Sequence, residues 1–326
     1  MNKNFFTYKN LAGEYPSLEN DIRLGTPTAV FGVADFHKYL IASLATQPVL
    51  YIAADSLTAR YAYEAATAIS GKKCALLTAK DDVVLYKDAL SKDALYRRIC
   101  AVYDLLHGAE FVSCEVDAIM QLFPETVGSV NFKVGEELDY SALPQRLVSM
   151  GYAREYAADN RGCFAIRGDV LDIFPVNSEN PVRVDFFGDT VEKIRPYDGV
   201  TGERLPETTE ITVIAANDAF VTPADMAEIT AKLAAEVKKA PNGKAYERSR
   251  AIADEITEKL SQGGSFSGAS FLMPLLACAR TIFDLLPENT LLAFDECKLI
   301  NDRMDGVYKE HCERVSELKK GGEVFS

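Results

Sequence analysis

Between residues 28 and 115, short apolar runs alternate with longer segments whose apolar positions recur every three or four residues. The runs "AVFGV", "VLYIAA", "CALLTA" and "AEFVSCE" predict buried strands. The intervening "DFHKYLIASLA", "SLTARYAYEAATAIS" and "KDALYRRICAVYDLLHG" predict helices, with Ser56 as the N-cap of the second and Gly71 and Gly108 just past helix ends. Strands alternating with helices predict a doubly wound parallel sheet.

From about 124 to 212 the period changes. One helix, "SALPQRLVSMGY", precedes closely spaced strands: "REYAA", "CFAIR", "VLDIFPV", "VRVDFFG" and "TVEKIRPY". Gly168-Asp169 suits a tight hairpin and "NSENP" a longer connection. Successive side chains of a strand point to opposite faces. Val182, Val184 and Phe186 therefore share one face, and Arg183, Asp185 and Phe187 the other; Phe164 and Ile166 lie opposite Cys163, Ala165 and Arg167. A face of arginines, a carboxylate and a large aromatic is either a solvated sheet surface or a protein-docking surface, where Arg forks and aromatic anchors carry most of the energy. Pattern alone leaves both open.

After about 213 helices return, in "ADMAEITAKLAAEVKKA" and "AYERSRAIADEITEKLSQG", followed by an apolar strand, "NTLLAF", that ends in Asp295-Glu296. The tail from "INDRM" reads as a polar helix. The expected architecture is a split α/β domain of degenerate P-loop type, residues 1–123 and 213–326, carrying an inserted β-rich (α+β) module at 124–212.

The P-loop reading rests on "TAVFGVADFHKYLIASL". Gly32 and Lys38 stand at the spacing of the first Gly and the Lys in G-x-x-x-x-G-K-[ST], with His37 in the second glycine's place and Tyr39 in that of Ser or Thr. A His side chain there adds bulk where backbone N–H groups must close around phosphates, and Tyr39 cannot set a short hydroxyl on magnesium. Asp295-Glu296 stands where such folds place their magnesium-holding acid. The expectation is a structural remnant without nucleotide chemistry.

Composition narrows the field. A net charge of -13 argues against a whole-surface nucleic-acid binder. Seven scattered cysteines without a CxxC pair predict reduced thiols, not a disulfide frame or zinc site, and His311-Cys312 lacks a second ligand pair. No apolar run approaches membrane-spanning length, and "MNKNFFTYKN" lacks a signal-like core, so a cytoplasmic protein without metal or membrane partner is expected.

Residues 151–198 contain GY-x-R, RG-x-F-x-x-RGD-x-x-DIFP, RV-D-x-FGD and I-R-x-x-D in one order. This pattern closely resembles a stretch shared by two bacterial DNA-repair families, the transcription-repair coupling factors (Mfd) and the damage-verifying excinuclease component UvrB. The segment "FLMPLLACARTIFDLLPENTLLAFDE" also resembles the coupling factors' LPLFF…LFDYLP-x-NTLL. UvrB carries an intact P-loop and a long DNA-clamping hairpin, for which the run from "LLTAKDD" to "AEFVSCE" leaves no room. The chain is thus similar to the N-terminal region of the coupling factors.

That resemblance implies a module that recruits the excinuclease component UvrA in nucleotide excision repair. The family's binding residues fall on Arg167, Arg183 and Phe187, and Asp185 matches a carboxylate of the UvrB version. Arg161 aligns with an arginine there that coupling factors do not always keep. It further implies an RNA-polymerase-binding domain and an ATP- and magnesium-dependent DNA translocase beyond residue 326, and a C-terminal domain that covers the docking face at rest. The fragment itself is expected to need no cofactor. The rivals are an active UvrB-like ATPase/helicase core, supported by Lys38 and Asp295-Glu296, and a direct DNA clamp, disfavoured by the charge and the missing hairpin.

Overall fold

The computed structural model describes residues 15–33, 35–43, 45–80, 92–219, 221, 223–263 and 269–323. The stretch "MNKNFFTYKN" and part of the run from "LLTAKDD" to "AEFVSCE" therefore lie outside the described residues. In chain order the main helices are α1 (Tyr15–Arg23), α2 (Asp35–Ser43), α3 (Ser56–Ile69), α4 (Lys92–Leu106), α5 (Leu143–Ser149), α6 (Pro223–Val237), α7 (Lys244–Gly263) and α8 (Cys297–Gly321). The strands are β1 (Val49–Ala53), β2 (Cys74–Leu77), β3 (Phe111–Glu115), β4 (Phe123–Pro124), β5 (Ser129–Lys133), β6 (Ala153–Arg154), β7 (Cys163–Arg167), β8 (Val170–Phe174), β9 (Val182–Phe187), β10 (Thr190–Pro196), β11 (Glu210–Ile214), β12 (Ala279–Arg280) and β13 (Leu291–Phe294). Among the described residues no helix is long and apolar enough to cross a membrane.

Backbone contacts divide the chain into two compact units. The first takes the described residues of Met1–Ala79 together with Asp104–Gln121 and Thr281–Glu310; the second takes those of Lys80–Tyr103, Leu122–Arg280 and His311–Ser326.

The first unit holds an all-parallel sheet in the order β13-β1-β3-β2. Parallel neighbours need crossover connections, and α3 supplies the one from β1 to β2. Its alanines 59, 62, 65 and 66 let the helix lie close against Val49, Tyr51, Ala53 and Phe111. The N-cap of α3 is Asp55 rather than Ser56: its carboxylate accepts from the Thr58 N–H at 2.9 Å and from Thr58 Oγ1 at 2.9 Å. The expected strand "AVFGV" does not form. Pro27 and the left-handed Gly32 (φ 72°) leave only residues 28–31 between them, β1 already has a neighbour on each side, and Phe31 stands 89% exposed.

The second unit is built on a five-stranded sheet in the order β10-β9-β8-β7-β6, antiparallel except for the β6–β7 pair. "REYAA" contributes only the two-residue β6. Leu171, Ile173, Val182, Val184, Phe186, Val191 and Ile194 form the inner face and cluster with Leu143 and Leu147 of α5 and with Tyr96 and Ile99 of α4. Each such side chain contributes roughly 1.5–3 kcal/mol on leaving water. A separate core joins α6 and α7 through Ile229, Leu233, Ile256 and Leu260.

Two features of the GY-x-R and RG-x-F signatures have a packing cause. Tyr152 is buried, its hydroxyl donating to the Ile214 carbonyl at 2.8 Å and accepting the Val176 N–H at 3.2 Å. At Gly162 (φ 80°) any Cβ collides with the Tyr96 hydroxyl. Flanking the sheet, β5 and β11 pair antiparallel, with Val130 opposite Val213.

Candidate functional site

On β9, burial alternates strictly: Val182, Val184 and Phe186 are buried, whereas Arg183 and Phe187 are exposed and Asp185 is half-buried. Phe187 is 80% exposed, so most of its ring lies in water. Arg167, at the end of β7, is also exposed. Cross-strand register links these positions. Arg167 stands opposite Val170, Val170 opposite Asp185, and Asp185 opposite Lys193. The next row runs Ala165, Asp172, Arg183, Arg195. Arg167, Arg183, Asp185 and Phe187 thus share the outward face of one sheet.

The remaining residues expected on that face behave differently. Cys163 and Ala165 are buried, so the outer face of β7 is open only at Arg167. The Cys163 thiol lies 3.3 Å from Glu155 Oε1; burial first, then this contact, push it up to about 11. Arg161 stacks over Phe174 at 5.9 Å, in a polar cleft lined also by Lys92, Tyr96 and Glu155. At about 3.3 Å per residue, Phe174 lies roughly 13 Å along β8 from the row that holds Arg167. Arg161 is therefore at the far end of the face from Phe187.

Two acid–arginine pairs organise the centre. Arg183 Nε and Nη2 donate to Asp172 Oδ1 and Oδ2 at 2.7 and 2.8 Å. The pair raises the Arg183 pKa, with hydrogen bonding to Asp172 the main cause. Arg195 Nη2 donates to Asp185 Oδ2. Arg167 instead donates through Nη2 to the Tyr156 carbonyl. A bulge between Val191 and Lys193 makes Arg195 available: it turns Ile194 inward opposite Val184 and sends Lys193 and Arg195 outward. Asp172 and Arg195 escape strand-by-strand alternation. Asp172 needs the hairpin register, in which a two-residue turn at Gly168-Asp169 sets it opposite Ala165; Arg195 needs the bulge.

Around "TAVFGVADFHKYLIASL", Gly32 and His37 are exposed while Tyr39 is buried. Lys38 Nζ lies 2.9 Å from both carboxylate oxygens of Asp295. The Tyr51 hydroxyl, which sequence reasoning did not single out, donates to Asp295 Oδ2 at 2.7 Å. Burial, followed by this bond to Asp295, raises the Tyr51 pKa. Glu296 is exposed and takes a left-handed backbone, φ 60°. Lys38 and Asp295 therefore meet, and their charges oppose one another inside the first unit.

Comparison with known proteins places these features. Residues 130–218 match a family model described as the UvrB interaction domain. The transcription-repair-coupling factor of Bacillus subtilis (strain 168) is 26% identical over 87% of this chain and 25% of its own length. That of Myxococcus xanthus is 28% identical over 86% and 24%. The UvrABC system protein B of Geobacillus kaustophilus (strain HTA426) is 31% identical over 55% of this chain and 29% of its own length. The chain spans about a quarter of the length of the coupling factors it matches. The resemblance read from the motifs at 151–198 is borne out, and it extends over most of the chain.

Proposed function

We propose that this chain, as the N-terminal portion of a transcription-repair coupling factor, is a recruitment module that docks the excinuclease component UvrA in nucleotide excision repair. The observation that carries the reading is the joint projection of Arg167, Arg183, Asp185 and Phe187 from one sheet face, with Phe187 80% exposed. Arginine donors beside a desolvatable ring are what interface hot spots use. Coverage of 86–87% of this chain by two coupling factors, against 55–74% by UvrABC system proteins B, favours the coupling-factor assignment.

In this reading the chain is not itself an enzyme and takes no cofactor. The α/β part, residues 1–123 and 213–326, is a P-loop fold that has lost its chemistry, and 124–212 is the inserted docking module. His37 and Tyr39 replace the residues that close on phosphate and magnesium, and Lys38 is held by Asp295. In the parent protein an ATP-driven translocase removes stalled RNA polymerase from DNA, and this region then brings in UvrA. A C-terminal domain of the parent covers the face at rest.

Titration calorimetry with purified UvrA tests the proposal. The expected result is saturable binding without ATP, weakened by Phe187→Ala. Absence of binding by a folded fragment overturns it. The second reading, an active UvrB-like ATPase/helicase core, draws on the meeting of Lys38 and Asp295. Micromolar binding of ATP with magnesium favours that reading; heats indistinguishable from dilution exclude it.

A further inference from the structure

We propose that Asp172 is a positioning residue of the docking face, acting through Arg183 and not by touching the partner. The inference rests on the docking reading. The Asp172 side chain is 8% exposed and that of Arg183 44%, so the carboxylate lies beneath the guanidinium. Both Asp172 oxygens are engaged by Arg183, at 2.7 and 2.8 Å. Such a two-point pair fixes the plane of the guanidinium as well as its place. An unsupported arginine loses rotamer freedom on being ordered by a partner. Here the ordering is done within the free module, by Asp172 on one side and the Tyr197 ring, 5.9 Å away, on another.

Donor accounting then constrains the partner. Arginine has five N–H groups. Nε–H and one Nη2–H are committed to Asp172, which leaves the two on Nη1 and one on Nη2. Arg183 therefore presents its Nη1 edge to the partner and not its Nε–Nη2 fork. The complementary group is an acceptor, a carboxylate or carbonyl oxygen, that approaches along that edge. Because the pair is neutral, Arg183 contributes oriented donors more than net charge. Arg167, whose guanidinium bonds to a backbone carbonyl, keeps its charge for the partner.

The alternative for Asp172 is a purely structural role, in which the carboxylate only stabilises the sheet. A double-mutant cycle separates the two. UvrA affinity is measured for the wild-type fragment, Asp172→Asn, Arg183→Ala and the double variant, each with a melting curve. If Asp172 acts through Arg183, Asp172→Asn weakens binding by about tenfold, whereas the same change in the Arg183→Ala background shifts affinity by less than about twofold. A wild-type affinity in folded Asp172→Asn overturns the inference, as does a full tenfold loss in the Arg183→Ala background. Should Asp172→Asn not fold, Asp172→Glu keeps the charge, displaces it by one methylene and serves the same cycle. If Arg183→Ala and Phe187→Ala both bind normally, the docking reading itself has failed, a separate outcome.

Discussion

Phe187→Ala separates docking from folding because so little of the ring is used by the free module. A fully buried phenylalanine side chain is worth up to about 3 kcal/mol relative to an exposed one. With 80% of the residue exposed, most of that contribution remains to be realised against a partner, and about a fifth is already drawn on in folding. Burial of the ring in a complex thus accounts for about 2 kcal/mol, or about 30-fold in Kd. The same truncation changes folding stability by no more than about 0.5 kcal/mol, as for other surface positions. The assay is calorimetric titration of UvrA with the wild-type and Phe187→Ala fragments, paired with urea denaturation. A 30-fold weaker complex with an unchanged urea midpoint is expected. Affinity within twofold of wild type would refute the reasoning, since an 80% exposed ring that stays in water on docking contributes nothing. A large loss of folding stability would refute it too, because it places the ring in the core.

Three further outcomes follow from other sites. Tyr152→Phe strands the Ile214 carbonyl and the Val176 N–H in the core and is expected to lower stability by about 1–3 kcal/mol in urea unfolding. Asp55→Ala removes the α3 cap at a cost of about 1 kcal/mol. Burial tends to raise the Asp55 pKa, but the bonds from Thr58 outweigh it and hold the carboxyl below its ordinary value. A carboxyl depressed on folding stabilises fully above about pH 4 and loses that contribution as pH falls through its folded value. The difference between wild type and Asp55→Ala should therefore shrink in acid melts. Finally, the Cys163 thiol, buried and pushed up to about 11, should resist iodoacetamide at pH 8 while the exposed Cys297 and Cys312 react, as peptide mass spectrometry will read.

What was legible in the sequence divides along physical lines. Strict alternation of large apolar and polar residues on β9 was enough to send Arg183 and Phe187 outward, because a two-residue period needs no knowledge of neighbours. The parallel sheet was legible for β1, β2 and β3, whose apolar runs find partners. "AVFGV" has similar composition, yet Pro27, a left-handed Gly32 and the lack of a ladder partner keep it out of the sheet. Arg195 was hidden because alternation counted from Val191 sends it inward; only the bulge reverses its face. Asp172 and Tyr51 were hidden for a shared reason. Each acts through a partner remote in sequence or on another strand, Arg183 in one case and Asp295 in the other. Spacing along one strand carries no information about what lies beside it.

The pairing of β5 with β11 has a consequence for how the outward sheet face is supported. Val130 and Val213 lie opposite one another, so backbone hydrogen bonds hold the start of β5 beside the end of β11. Opposed residues in an antiparallel ladder are about 5 Å apart. The core beneath the sheet is not confined to the chain between these two strands, however, because Tyr96 and Ile99 of α4 belong to it. A fragment cut down to residues 130–218 would lose those α4 side chains, and the Arg–Asp pairs and exposed ring are expected to lose part of their support with them.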